Sequence, residues 1–85
     1  MYRFRIHYLN SQGTLMRILS TVSRRGLDLL SVEAGPSGDR YCATLMVEAP
    51  AKQVDQMLRD WRVIVDVLEV EAPVAAAEFV STTAV

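Results

Sequence analysis

Few side chains in this sequence are suited to catalysis, and they are scattered. His7 is the single histidine and Cys42 the single cysteine. His7 stands between charged and apolar residues of an alternating segment, and no histidine lies near Cys42 in an obvious geometry. We interpret His7 as a solvated surface residue and Cys42 as a buried or half-buried thiol. A single cysteine also excludes an internal disulfide, which weakly favours a reducing compartment.

The carboxylates lack the spacing of a catalytic or metal site. Asp55 and Asp60 are five residues apart, so they do not share one face of a helix. Asp66, Glu69 and Glu71, further along the chain, are also scattered. The sequence contains no P-loop, no Gly-rich dinucleotide turn and no metal-ligand spacing. We therefore predict no catalytic residue, no metal and no cofactor, and we do not expect an enzyme.

The segment N-S-Q-G-T-L-M-R-I, residues 10–18, is the strongest candidate for a binding site. It places Asn10 and Gly13 between an expected strand and the start of an expected helix. The free N–H groups of a helix start can hold a carboxylate. Gly13 lets a ligand approach the backbone closely, and Asn10 can donate or accept a hydrogen bond. An ordinary loop that starts a helix has the same composition, so the residues alone leave both interpretations open.

Changes of hydrophobic periodicity predict the elements around this loop. Residues 2–9 alternate between apolar side chains and Arg3, Arg5 and His7, which is typical of a strand with one buried face. Apolar residues then recur at helical spacing over residues 14–25, and Gly26 suits the C-terminal cap. The remaining predicted elements are a strand at 27–34, a turn at 35–39, a strand at 40–49, a helix after Pro50 that contains Val54, Leu58 and Trp61, and a strand at 63–71 ended by Pro73.

This order predicts an α+β fold of the ferredoxin-like βαββαβ type. Right-handed crossovers place two helices on one face of a four-stranded antiparallel sheet. The other face carries Arg3, Arg5 and His7 and is expected to contact water or a partner. We assign residues 1–72 to the domain, and residues 73–85 to a C-terminal tail that is frayed or a short appendage.

Composition narrows the possible functions. The chain has 85 residues, of which 51% are hydrophobic, enough for one packed domain. Its net charge is −1 and its pI is about 5.7, which disfavours nucleic acid as a partner. No run of ~18 apolar residues could span a membrane, and no leader segment is evident, so we expect a cytoplasmic protein.

Aromatic residues on the central strands raise the alternative of RNA binding by base stacking. The residues concerned are Tyr2, Phe4 and Tyr8 on the first strand and Tyr41 on the third. Those on the first strand alternate with arginines, so we expect them to face the helices as part of the core. The open face would then carry no aromatic side chain for stacking.

Two motifs resemble the ACT domain. The first runs from Asn10 and Gly13 through Leu15 to Arg17 and Ile18, and the second is R-G-L-D-L-L-S at residues 25–31. A third segment, W-R-V-I-V-D-V-L-E-V at residues 61–70, is similar to one in the small regulatory subunit of acetolactate synthase. The length resembles the short form of that subunit, which consists of a single ACT domain.

The resemblance implies a site shared by two chains. ACT domains of this family pair side by side, and a branched-chain amino acid (valine, isoleucine or leucine) binds at the interface. Carried over by position, the ligand-binding residues are Asn10, Gly13, Thr14 and Leu15 of one chain with Asp28 and Leu29 of the other. Valine-sensitive relatives usually have Asn at the position of Asp28. An Asp cannot donate to a carboxylate, but it can pair with an ammonium group.

The resemblance also implies a partner. We expect a homodimer that binds the thiamine-diphosphate-dependent catalytic (large) subunit of acetolactate synthase and raises its activity by favouring an active conformation. The docking surface would be the open sheet face or the exposed edge strand. The alternative, which belongs to a different functional class, is a stand-alone ACT sensor that binds an amino acid and acts on some other protein.

Overall fold

The computed structural model describes residues 1–76, and its elements follow the predicted order. They are β1 Tyr2–Tyr8, α1 Thr14–Arg24, β2 Asp28–Ser37, β3 Arg40–Glu48, α2 Ala51–Arg62, β4 Val67–Val70 and β5 Val74–Ala75. The strands form one antiparallel sheet in the order β2-β3-β1-β4, and β5 also pairs with β1. This is the α+β, ferredoxin-like βαββαβ fold that the sequence predicts.

The core lies between the sheet and the two helices, and β1 shows why. Phe4, Ile6 and Tyr8 are at most 1% exposed, whereas Arg3 and Arg5 on the opposite face are exposed. On the neighbouring strand β3, the side chains that share this buried face are Ala43, Leu45 and Val47. The alternation of β1 therefore predicts the buried face correctly. The aromatic residues considered for RNA stacking are in this core or packed against it.

Each helix buries one stripe of side chains, as its periodicity predicts. The buried stripes consist of Thr14, Ile18, Thr21 and Val22 on α1 and of Val54, Met57, Leu58 and Trp61 on α2. Gly26 ends α1 with a positive φ of 69°, and its N–H donates to the Ser23 carbonyl. The helices have 11 and 12 residues, and neither is long and apolar enough to cross a bilayer.

The fourth strand is shorter than predicted. The sequence predicts a strand over 63–71, but Val63 caps α2 in a helical conformation and β4 begins at Val67. Val63 and Val65 are 80% and 73% exposed, and Asp66 has a positive φ of 74°. The β-branched side chains at 63–66 therefore belong to a turn, in which the Val67 N–H donates to the Ile64 carbonyl.

The sheet includes two features that the sequence does not predict. The β2–β3 hairpin closes through Gly38 and Asp39 alone, because Ser37 pairs directly with Arg40. The strand β2 therefore extends into the predicted turn, whereas β3 begins at Arg40 as predicted. After Pro73, the short strand β5 pairs with the start of β1. This strand falls in the segment expected to be a tail, whose residues 77–85 lie outside the described part of the chain.

Candidate functional site

The loop between β1 and α1 has the geometry of a helix start with an open N-terminus. Gly13 precedes the helix with a φ of 84°, in the left-handed region, and no side chain caps the helix through a hydrogen bond. The Gly13 carbonyl accepts the Arg17 N–H at 3.0 Å. The Thr14 N–H donates to the Ser11 carbonyl at 3.2 Å. The N–H groups of Leu15 and Met16 have no acceptor among residues 1–76, so they can receive an anion.

Hydrogen bonds hold this loop in place. The Ser11 hydroxyl donates to the Asp66 carboxylate, and it lies 2.7 Å from the Thr14 hydroxyl, which is then the donor of the second bond. The Asp66 carbonyl accepts the Leu9 N–H at 2.8 Å. Asp66 therefore supports the loop from the turn before β4. The sequence does not mark it as a site residue, although it lies in the segment 61–70 that is similar to the synthase subunit.

Arg17 is a second residue that sequence reasoning left out of the site. Its guanidinium lies over Gly13, since a Cβ at Gly13 would be 3.6 Å from Arg17 Nη2. The Arg17 side chain is exposed and has no ion pair within the described residues. The loop therefore combines free N–H groups with a positive charge, and both attract a carboxylate. The signal was present in the motif, where Arg17 lies one helical turn after Gly13.

Within one chain, the predicted binding residues lie in two separate groups. Asn10, Gly13, Thr14 and Leu15 lie together beyond the end of β1. Leu29 pairs with Val47, which also pairs with Tyr2, so Asp28 and Leu29 lie at the level of the start of β1. The two groups are thus separated by the length of β1, about 20 Å at ~3.3 Å per residue. One small ligand cannot contact both groups within a single chain.

The second group, Asp28 and Leu29, lies at the start of the edge strand β2, where acidic side chains are next to exposed apolar ones. Asp28 is exposed and lies opposite Glu48, whose carboxylate is 3.4 Å from the N-terminal amine. Leu29, Leu30 and Val32 are each about 40% exposed, and they follow Asp28 along the strand. A carboxylate next to apolar side chains is suited to an ammonium group that is attached to an aliphatic body.

A separate charged cluster lies on the open face of the sheet. His7 Nε2 is 2.6 Å from the Glu71 carboxylate, to which it donates, and Arg5 lies 4.0 Å from the same oxygen. Arg5 also donates to the Cys42 sulfur at 3.6 Å. The hydrogen bond from His7 and the positive charge of Arg5 lower the pKa of Glu71. The cluster ties β4 to β1 and β3, so we assign it a structural role.

No profile of a known protein family matches this sequence, and no curated protein matches it. Solved structures do match. The ACT domain of GTP pyrophosphokinase from Chlorobium tepidum superposes with a TM-score of 0.73 at 15% identity, over 95% of this chain and 92% of that one. The chain has the ACT fold.

Two further structures with this ACT fold belong to larger proteins. The small subunit of acetolactate synthase from Thermotoga maritima matches with a TM-score of 0.71 at 19% identity, over 82% of this chain and 45% of that one. Prephenate dehydratase from Arthrobacter aurescens, solved in complex with L-Phe, matches with a TM-score of 0.60 at 21% identity, over 81% and 26%. At these identities the similarity establishes the fold.

Proposed function

We propose that this ACT module binds an amino acid, has no catalytic activity of its own and regulates another protein. The observation that carries the proposal is the β1–α1 loop, where the free N–H groups of Leu15 and Met16 and the guanidinium of Arg17 lie at the start of α1. A carboxylate is the ligand group that such donors bind best. The fold it shares with the ACT domains supports the same assignment.

The two groups of predicted residues fit the two ends of a zwitterion. The loop at Gly13 would hold the α-carboxylate, and Asp28 of a second chain would hold the α-ammonium. Leu15 and Leu29 would contact the side chain, which favours valine, isoleucine or leucine. Asp66 places a negative charge beside the loop, so Arg17 is needed to offset its repulsion of the carboxylate.

A side-by-side dimer would bring the two groups together. Among residues 1–76, β2 is an edge strand of the sheet, so its outward backbone groups can pair with another strand. In an antiparallel β2–β2 pair, the start of one strand lies beside the end of the other. The Asp28 end of one chain would then approach the β1–α1 loop of its partner, which forms two equivalent sites.

Isothermal titration with valine, isoleucine and leucine tests the ligand. We expect heat of binding with the unaltered chain, and about tenfold or greater weakening with Arg17→Gln, because a charge-assisted hydrogen bond is lost. Asp28→Ala should also weaken binding, because it removes the carboxylate proposed to hold the ammonium group. Arg3→Gln, which removes an arginine on the opposite face of the sheet, is the control. Absence of heat with all three amino acids would contradict the proposal.

The more specific proposal is that the chain is the regulatory subunit of acetolactate synthase and acts in the cytoplasm. The third sequence motif and the match to the Thermotoga small subunit support it. Co-purification with the catalytic subunit from the same genome, together with a rise in synthase activity on mixing, is the expected result. If the two proteins do not associate and synthase activity does not rise on mixing, this partner is excluded.

A stand-alone amino-acid sensor that acts on another protein is the second candidate. It is favoured by the match to the ACT domain of GTP pyrophosphokinase, which shows the same fold outside the synthase subunit. Binding of an amino acid without stimulation of the synthase would support it.

A further inference from the structure

The charges of this protein are divided between its two layers. Residues 14–25 and 51–62, which form the helical layer, contain six of the nine Lys and Arg residues and two of the ten Asp and Glu residues. The helical layer therefore has a net charge of +4. In the rest of the described chain, three basic residues face seven acidic ones, a net charge of −4. A formal charge of −1 for the whole chain conceals this division.

The unpaired cations lie on the outer surface of the helical layer. Arg25 is paired with Asp60 at 2.7 Å. The other cations have no ion pair within residues 1–76, and all are exposed: Arg17, Arg24, Lys52, Arg59 and Arg62. The buried stripes of both helices face the sheet, so these cations face outward. The single acid that remains among them is Asp55, which is also exposed.

These cations have a regular spacing. Arg17 and Arg24 on α1 are seven residues apart, as are Lys52 and Arg59 on α2. Seven residues are almost two helical turns, so each pair shares a face and spans about 10.5 Å. The four charges therefore form two rows with the same spacing on the exposed surface of the helical layer.

We propose that the outer face of the helical layer docks an acidic α-helix of a partner protein. A third helix that lies on this face and carries Glu or Asp at every seventh position would present its carboxylates at the same 10.5 Å interval. The face offers charge rather than apolar surface, because Met16 is the only large hydrophobic residue exposed on either helix. This inference does not depend on the regulatory function proposed above.

Other anionic partners fit this face less well. A single-stranded nucleic acid needs exposed aromatic side chains for stacking, and none lies on the outer face, because the only aromatic residue of the two helices is the buried Trp61. An anionic membrane binds helices that insert bulky apolar side chains beside their cations, and Met16 alone does not provide such a surface. The net charge of −4 on the rest of the molecule would also repel an extended polyanion.

The test uses a labelled, alanine-based helical peptide with glutamates at every seventh position, and a second peptide of the same composition with glutamates at every fifth position. Fluorescence anisotropy at roughly 20 mM and 150 mM salt gives the affinities. We compare the unaltered chain with the double variant Arg24→Gln/Arg59→Gln. The matched control is Arg3→Gln/Arg40→Gln, which removes two positive charges from the sheet side.

We expect the seven-spaced peptide to bind more tightly than the five-spaced one and to weaken at the higher salt. The helical double variant should lose roughly fivefold or more in affinity, and the sheet variant less than twofold. No binding at low salt, or equal weakening by both double variants, would overturn the proposal. Tighter binding of a double-stranded RNA or of phosphatidylserine vesicles than of the peptide would also overturn it. Circular dichroism of each variant confirms that it is folded.

Discussion

Gly13 holds the β1–α1 loop in a conformation that other residues adopt only with strain. Its φ is 84°, and a Cβ at this position would meet Arg17 at 3.6 Å, which is ordinary contact. We therefore predict that Gly13→Ala lowers the free energy of unfolding by about 1–2 kcal/mol, because of backbone strain rather than lack of space. Urea denaturation followed by the fluorescence of Trp61 measures the loss.

Gly35→Ala is the matched control for this substitution. Gly35 lies in β2, its φ is outside the left-handed region, and no atom lies within 4 Å of the position of its Cβ. We expect a change below about 0.5 kcal/mol. A similar loss in both variants would show that the positive φ of Gly13 has no special cost.

Individual residues of the loop differ in how well the sequence predicts them. Gly13 and Thr14 could be found because local chemistry marks the end of a strand and the start of a helix. Asp66 could not, because its contact with Ser11 joins residues that are 55 positions apart. The sequence also does not indicate its left-handed conformation, because the β-branched residues around it favour a strand.

The same contrast applies to the helices and strands. The helix predicted at 14–25 matches α1 nearly to both ends, and the start of α2 after Pro50 is also predicted correctly, because each helix has a clear apolar stripe and follows Gly or Pro. The strand predicted at 63–71 was too long, because a run of β-branched residues does not reveal that its first members lie in a turn. The fifth strand depends on backbone pairing with β1, and two residues carry too little pattern to predict it.

Trp61 connects the two helices to each other and to the sheet. It is fully buried, its ring meets Phe4 at a centroid distance of 4.9 Å, and its Nε1–H donates to the Ile18 carbonyl at 3.0 Å. Trp61→Phe keeps an aromatic ring but leaves that carbonyl without its side-chain donor. We predict a loss of about 1–3 kcal/mol in the free energy of unfolding, measured by urea denaturation followed by circular dichroism.

Tyr41→Phe serves as the control, since it also removes one polar atom from an aromatic side chain at the edge of the core. The Tyr41 hydroxyl makes no hydrogen bond to the rest of the described chain. The expected change is below about 0.5 kcal/mol. If Tyr41→Phe lowers the free energy of unfolding as much as Trp61→Phe does, the indole hydrogen bond contributes little.

Glu71 should make the stability of the sheet depend on acidity. The hydrogen bond from His7 lowers its pKa below the ordinary 4.5, so the folded state favours the ionised form. The stabilisation is fully present above pH 4.5 and is lost as the pH falls through the lower value of the folded state. We predict that Glu71→Gln reduces the loss of stability below pH 4.5, measured by urea denaturation at a series of pH values.

Glu69→Gln is the comparison for this pH dependence. Glu69 lies on β4 with its side chain 60% exposed, and its closest cation is Arg40 at 4.0 Å. We expect this variant to retain the acid dependence of the unaltered protein. If both variants show the same slope, the contact between His7 and Glu71 does not account for it.

At the scale of the whole molecule, the two edges of the sheet allow the proposed dimer to be tested. Leu30 in β2 and Leu68 in β4 have no paired residue on the neighbouring strand, because the register shifts there. Both strands are at an edge of the sheet, and the two leucines are 40% and 45% exposed. A lysine on an edge strand opposes pairing with another strand. We predict that Leu30→Lys shifts a dimer towards the monomer by about tenfold or more in the dissociation constant, whereas Leu68→Lys does not.

Analytical ultracentrifugation over a range of concentrations measures both dissociation constants. Dissociation by Leu68→Lys alone would place the interface at the opposite edge. The sequence predicts both helices on one face of the sheet, and their excess of basic residues follows from that assignment. It does not predict which of these cations are unpaired, because the ion pair of Arg25 with Asp60 joins residues that are 35 positions apart.

The length of β1 between the two groups of binding residues has a genetic consequence. Each site of a side-by-side dimer would take its loop from one subunit and its Asp28 from the other. A subunit with a damaged loop and a subunit with a damaged strand, each inactive by itself, would form a mixed dimer with one intact site and one doubly damaged site. Two inactive alleles would then complement each other when expressed together, with a stoichiometry of one amino acid per mixed dimer.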